Sequence, residues 1–376
     1  MNNPGLYIHV PFCRRRCPFC DFAITTDLSH VNAWETALLL EIELREPDWR
    51  GTFDTVYFGG GTPSLLAAQS LERLLASLGR HFDIAIDAEV TVEANPGTLS
   101  RDDYAQLTAA GVNRLSLGIQ SFDDDDLVFL GRDHNVRESL DAYKFARAAG
   151  IENITVDLIY GLPARTSAHW ADQLQQCVSL RPDHVSAYAL TYESGTALTR
   201  QKERGDFEAV SEELAADLFD ITVRQLALGG LDQYEVSSFA SRPERESRHN
   251  KKYWCGASYL GLGPSAHSFH DGQRWWNLRN VTDYVAALER SELPLAEAET
   301  LTPEQRRIET LFLGLRWRKG VDLDRFDREF GEDLRSKYSD VVEQLLQDGL
   351  ALEVDSHLRL SPAGLARADS IVRRLS

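Results

Sequence analysis

Cysteine is scarce in this sequence, at five of 376 residues, and no uninterrupted apolar segment approaches the roughly 20 residues needed to cross a bilayer. Nor does an apolar N-terminal run read as a signal peptide. These absences point to a cytoplasmic chain whose thiols stay reduced. Basic charge is scarce too: 40 Lys and Arg stand against 58 Asp and Glu, a formal net charge of −18. A sequence-independent nucleic-acid binder needs a basic face to neutralise phosphate, so that class is set aside. The local basic triplet Arg14-Arg15-Arg16 reads equally well as a dock for an acidic electron donor or as a solvated loop.

Three of the five cysteines are packed into the first 20 residues, as Cys13, Cys17 and Cys20. Thiolates at spacings of four and three on one short loop can converge on a single inorganic centre. A structural zinc site wants four ligands, and no second Cys/His pair lies close enough in sequence to complete a knuckle. A disulfide with a spare thiol is the other plain alternative. A four-iron cluster also takes four ligands, so three cysteines leave one iron open to something exogenous. That vacancy points to catalysis or ligand binding rather than a structural clip.

Along the chain, strand-like and helix-like segments alternate. Strands are expected at Leu6–Val10, Thr55–Phe58, Glu89–Ala94, Arg114–Gly118, Ile154–Ile159 and His184–Leu190. Helices are expected at about Val31–Leu44, Leu65–Leu78, Asp102–Ala110, Arg137–Ala149 and Ser167–Leu180. Six such repeats imply a parallel α/β sheet, with strands read as apolar enough to be buried on both faces. If the sheet curls into a barrel or partial barrel, chemistry belongs at the carboxyl ends of the strands. The cysteines follow the first strand, Gly59-Gly60-Gly61-Thr62-Pro63 the second, Glu93 and Asn95 the third, and Gln120 the fourth. Asp157 opens a motif on the fifth.

The C-x3-C-x2-C spacing, with aromatic Phe19 before the last cysteine, resembles the cluster motif of the radical S-adenosylmethionine (SAM) superfamily. That resemblance implies a partial (β/α)6 barrel, a 4Fe-4S cluster on Cys13, Cys17 and Cys20, and SAM at the open iron. It further implies SAM contacts from Tyr7, Phe19, Gly60, Gly61, Thr62, Glu93, Gln120, Arg132 and Asp157. A wider set of segments then narrows the family. Tyr7-Ile8-His9-Val10-Pro11-Phe12-Cys13, Gly59 to Ser64, Glu93 to Gly97, Leu117 to Phe122, Asp157 to Pro163 and Gly261 to His267 resemble the oxygen-independent coproporphyrinogen III oxidase group.

That group holds two activities: oxidases that decarboxylate propionate side chains by radical hydrogen abstraction, and HemW-type chaperones that bind haem and deliver it to haem-requiring proteins. The oxidases carry a fourth cysteine two positions past the third, where this sequence has Phe22, and an extension before the cluster strand, which here starts within a few residues of Met1. His249-Asn250-Lys251-Lys252-Tyr253-Trp254 matches the H-N-x-x-Y-W motif of the chaperones. The chaperone is therefore the expected function, with the oxidase as the alternative. The resemblance implies His249, Tyr253 and Trp254 as haem contacts: an imidazole is a competent axial ligand and flat aromatics pack on porphyrin. A lone histidine in a polar segment is otherwise a surface residue. Cys255 and Cys177 read as packing thiols, and His267 and His270 have no role that the sequence decides. Implied partners are a flavodoxin- or ferredoxin-type electron donor and haem acceptors such as membrane-associated respiratory enzymes.

Residues 1–292 are expected to form the barrel and the haem-motif segment, and 293–376 a C-terminal module. Leu293–Thr300 lacks periodicity and reads as a linker. Helices at Glu304–Arg316 and Asp340–Asp348, then strands at Ala351–Val354 and Leu358–Leu360 around a turn at Asp355-Ser356, resemble a winged helix. Asp340, Glu343 and Asp348 on its second helix argue for a lid or partner-binding role, not a DNA reader.

Overall fold

The computed structural model describes residues 3–375. Six strands, β1 (Gly5–Val10), β2 (Phe53–Gly60), β3 (Ile84–Ala94), β4 (Arg114–Gln120), β5 (Asn153–Tyr160) and β6 (His184–Ala189), pair in chain order and in parallel. Their crossovers contain α1 (Val31–Arg45), α2 (Ala68–His81), α3 (Arg101–Ala109), α4 (Asp124–Phe129), α5 (Val136–Ala148) and α6 (Ser167–Ser179). Local sequence sets several boundaries. Ser100 with Asp103 and Asn135 with Glu138 form reciprocal capping boxes that start α3 and α5.

The strands are not apolar on both faces, which corrects the sequence expectation. Leu6, Ile8, Val56, Phe58, Leu115, Leu117, Ile154, Val156 and Val185 point outward into the main core. The residues between them, Tyr7, His9, Thr55, Tyr57, Arg114, Ser116, Thr155, Asp157, His184 and Ser186, take the opposite face and fill the lumen. A period of two is therefore present, but its polar half is buried.

Further elements extend the sheet on both sides and prevent closure. After α7 (Ala197–Glu203) and α8 (Glu212–Leu228), the short strands β7 (Asp232–Gln233) and β8 (Ser238–Ala240) add antiparallel beyond β6. Then α9 (Arg248–Trp254) precedes β9 (Tyr259–Leu262), which pairs in parallel with β1. β10 (His267–His270) and β11 (Gln273–Asn277) follow antiparallel, and α10 (Val281–Glu289) leads into β12 (Leu295–Thr300). β12 corrects the linker assignment, because it pairs with β11 from Leu295 to Thr300 and ends the twelve-stranded sheet. It is almost wholly exposed, so main-chain pairing holds it with no apolar pattern to announce it.

A second core begins at Leu311. It gathers α11 (Pro303–Gly314), β13 (Val321–Asp322), α12 (Leu323–Phe330), α13 (Leu334–Lys337), α14 (Ser339–Gln347) and the hairpin β14 (Ala351–Val354) and β15 (His357–Leu360). The expected winged-helix order is present, with α15 (Pro362–Leu365) and α16 (Ala368–Arg374) appended.

Candidate functional site

A cavity of about 900 Å³ opens at the carboxyl ends of the barrel strands. Cys13, Cys17, Cys20, Phe19, Gly60, Gly61, Thr62, Glu93, Gln120, Arg132 and Asp157 all line it, so tertiary folding unites residues spread over 144 positions from Cys13 to Asp157. Of the expected SAM contacts, Tyr7 alone is not on its wall. It lies deeper in the lumen, stacked against Tyr57 at 6.1 Å, with its hydroxyl 3.1 Å from His9 Nδ1.

The cysteine loop is fixed by its own backbone. Cys13 N donates to Thr25 O at 3.0 Å and Thr25 N returns to Pro11 O at 2.7 Å, while Arg16 donates to Cys20 O, Phe22 O and Ile24 O. This settles part of the basic triplet: Arg16 ties the loop together instead of facing a partner. All three thiols are free and partly exposed to the cavity. Thr62 Oγ1 donates to Cys13 Sγ at 3.4 Å and Arg132 to Cys17 Sγ at 3.5 Å. Burial pushes the Cys13 and Cys20 thiols up, and each also feels the charge of its neighbours in the set. Among the described residues no three Cys, His, Asp or Glu close on a point that could hold a single metal ion. Three thiols on one loop are one ligand short of a structural zinc site, and they suit a cluster that takes an exogenous fourth ligand.

Beside this loop, two carboxylates are held in low-dielectric surroundings. Glu93 accepts from Tyr57 OH at 2.7 Å and Gly60 N at 3.1 Å. Burial pushes it up to about 7, opposed by the Tyr57 hydrogen bond and reinforced by the charge of Asp157. Asp157 accepts from Ser116 Oγ at 2.7 Å, and burial raises it to about 6. Arg132 donates to Asn95 Oδ1 at 2.5 Å and Gly118 O at 3.2 Å, and its buried Nε has no partner among the described residues. Gln120 ends β4 with φ +68°, a left-handed turn that coincides with a register shift in the β4–β5 pairing. Such an arrangement offers anionic acceptors for hydroxyl and ammonium groups, with a cation beside the cluster loop.

Comparison with known proteins now identifies the lineage. Residues 7–176 match the Radical SAM superfamily, and residues 301–367 the HemN C-terminal domain. Heme chaperone HemW of Mycobacterium tuberculosis (strain ATCC 25618 / H37Rv) is 38% identical over 99% of this chain and 94% of its own length. The chain belongs to the HemW family of radical SAM proteins. Heme chaperone HemW of Bacillus subtilis (strain 168) is 34% identical, covering 95% of each chain. The fold is that of coproporphyrinogen III oxidase (HemN) from Escherichia coli, with TM-score 0.85, 24% identity, and coverage of 100% of this chain and 90% of that one.

For this radical SAM chain, the H-N-x-x-Y-W segment lies at the amino-terminal end of the barrel, not on the rim. Its helix α9 starts on the Glu89 carboxylate, which accepts from Arg248 N at 3.1 Å and His249 N at 3.0 Å. His249 is 1% exposed, with Nδ1 2.8 Å from Thr55 Oγ1 and Nε2 2.9 Å from Tyr253 OH, and it stacks on Tyr57 at 5.0 Å. Burial and the nearby Lys252 charge pull it down to about 3, so the ring is neutral. In this arrangement His249 presents no unpaired ring nitrogen to a metal. Tyr253 packs edge-on against Tyr259, and Trp254 joins Cys255, Tyr234 and Trp317 near the C-terminal module. The motif closes the barrel floor, while Asn250 beside His249 reaches the cavity wall from below.

Several cavity residues escape motif reading: Arg114, Ser116, Thr155, His184, Ser186 and Tyr188. Their signal was available, since each is the polar member of a polar-apolar alternation within a strand. Asp369 from α16 also reaches the cavity and pairs with Arg316, a contact that no local pattern announces.

Proposed function

We propose that this chain is a cytoplasmic haem chaperone that binds haem and passes it to haem-requiring proteins, with a 4Fe-4S cluster on Cys13, Cys17 and Cys20 and SAM in the cavity beside it. The observation that carries the reading is near-full-length similarity to the heme chaperones, 38% over 99% of the chain, with exposed Phe22 at the position where the oxidases have a fourth cysteine. A cluster with SAM on its open iron supplies one-electron chemistry when bound. The chain's own groups do the rest: Gly60 and Gly61 let backbone approach the ligand, Glu93 and Asp157 accept its hydroxyl and ammonium protons, and Arg132 pairs with its carboxylate. Phe22 marks the face open to a flavodoxin- or ferredoxin-type donor, and membrane-associated respiratory enzymes are the proposed acceptors. Among the described residues, no helix is long and apolar enough to cross a membrane.

The test is an anaerobic incubation of cluster-reconstituted protein with coproporphyrinogen, SAM and reductant, run beside a haem titration. A shifted Soret band at about one equivalent, with coproporphyrinogen unconsumed, is the expected result. Stoichiometric decarboxylation would overturn the proposal in favour of the oxidase.

The raised carboxylates give SAM binding a pH dependence. Glu93 rises from its usual 4.5 to about 7 and Asp157 from 3.8 to about 6, so both hold protons in the empty folded protein under mildly acid conditions. Their contribution to folding is full below the unfolded values and is lost as pH rises through 6 to 7. SAM needs the ionised acceptors, so its affinity should fall roughly tenfold per pH unit between about 7 and 6, where Glu93 protonates, and more steeply below 6, where Asp157 follows. Calorimetric titration between pH 5.5 and 8 measures this, and Glu93→Gln should flatten the upper part of the curve. An unchanged slope in that variant would remove Glu93 from the site.

A further inference from the structure

Asn95 follows the last residue of β3 and lines the barrel cavity without belonging to the expected SAM contacts. Its main chain is closed into a small ring. Asn95 N donates to Ser64 Oγ at 3.2 Å, Ser64 Oγ lies 2.6 Å from Thr98 Oγ1, and Thr98 Oγ1 donates to Asn95 O at 2.6 Å. The backbone is thus held independently of the side chain, which joins two residues that touch the cluster thiols. Asn95 Nδ2 is 3.2 Å from Thr62 Oγ1, and Asn95 Oδ1 is 2.5 Å from Arg132 Nη2. Thr62 in turn reaches Cys13 Sγ at 3.4 Å, and Arg132 Nη1 reaches Cys17 Sγ at 3.5 Å.

The direction of every proton in this chain of contacts follows from Arg132. A guanidinium only donates, so the oxygen of the Asn95 amide faces Arg132 and its NH2 faces Thr62. A hydroxyl carries a single proton. With Thr62 Oγ1 accepting from Asn95, that proton is directed to Cys13 Sγ. Arg132 is anchored in the same pose by Gly118 O at 3.2 Å. A Cβ at Gly118 would lie 2.9 Å from both Asn95 Oδ1 and Gln120 Nε2, so glycine there leaves room for the amide. Cys20, the third thiol, takes its hydrogen bond from the Phe22 backbone instead.

We infer that Asn95 is a positioning residue for the cluster, holding Thr62 and Arg132 as donors to the Cys13 and Cys17 thiolates and so setting the cluster's reduction potential. The inference rests on the reading of these cysteines as cluster ligands and adds a tuning device to it. Hydrogen bonds to the ligating sulfurs favour the more negatively charged reduced state and raise the potential. Main chain provides such a bond at Cys20, whereas at Cys13 and Cys17 two side chains provide it, and one amide orients both.

The experiment is anaerobic reconstitution of the full chain, wild type and variants, followed by iron assay and a redox titration monitored by electron paramagnetic resonance in the absence of SAM. Thr62→Ser, which keeps the hydroxyl, should titrate with wild type. Thr62→Val should lower the equilibrium constant for reduction roughly tenfold, about 59 mV for one electron, and Asn95→Ala by at least as much, with about four irons retained in each. Because Asn95 acts at Cys13 through Thr62, adding Thr62→Val to Asn95→Ala should shift the potential no further. A wild-type potential in Asn95→Ala would overturn the inference, as would full additivity of the two substitutions. Loss of iron from Asn95→Ala would also overturn it, since the residue would then hold the site together without tuning it. A wild-type chain that assembles no cluster would overturn the cluster reading and this inference together.

Discussion

Cys17→Ala should lose essentially all cluster iron, from about four atoms per chain to near zero, together with the broad visible absorption of the reconstituted protein. Cys17 lies between Cys13 and Cys20 on the same loop, with Arg132 at 3.5 Å and the Gly131 carbonyl at 3.9 Å, and among the described residues no other thiol stands ready to replace it. Cys177 is fully buried on α6 and Cys255 donates to Lys252 O at 3.6 Å, so both belong to packing. Alanine at either of those positions should leave the iron content intact. Iron assay and absorbance after anaerobic reconstitution measure the contrast, and full iron in Cys17→Ala would sink the three-thiolate assignment. The same comparison made on Cys13→Ala and Cys20→Ala should give the same loss, because no member of the set is spare.

Gly60→Val should abolish the change that SAM induces in the reduced cluster's electron paramagnetic resonance signal while leaving the iron in place. Gly60 has φ +107°, a conformation essentially closed to a β-branched residue, and a Cβ there would lie 2.5 Å from two atoms of the His9 ring. The ring cannot retreat: its Nε2 is 2.8 Å from Ala23 O and its Nδ1 3.1 Å from Tyr7 OH. Displacing Gly60 also removes its N–H from Glu93 Oε2, so a carboxylate proposed to receive the ligand moves with it. Gly51→Ala separates this clash from mere backbone strain. It has φ +100° and nothing within 4 Å of its Cβ, so it should lower stability by about 1–2 kcal/mol and keep the response to SAM. A normal SAM response in Gly60→Val would show that the glycine run is a tight connection and no more.

How much of this was legible beforehand depends on the kind of signal. The cysteine spacing, the glycine run and the strand-helix alternation are local signals: the six parallel strands lie within a few residues of where the pattern put them, and the cysteine and glycine loops at their carboxyl ends meet at one cavity. Burial on both faces of these strands holds, but they are not continuously apolar: the polar half of each alternation, which a solvent-facing strand would show with the same period, lines the lumen. Strand β12 left no trace because main-chain pairing asks little of side chains that stay in water.

By itself, then, the sequence determined the lineage, the gathering of three thiols on one loop and the order of the barrel, all of which rest on short local motifs. Tertiary structure alone decided where His249 and His270 stand. Both are histidines with aromatic neighbours in sequence, and no local pattern separates them. Packing of α9 across the barrel floor buries the first and occupies both its ring nitrogens, while pairing of β10 with β9 and β11 sets the second beside Trp49, contributed from more than 200 residues away. Whether an imidazole can reach a metal is fixed by what its two nitrogens already touch, and that is a property of the folded chain.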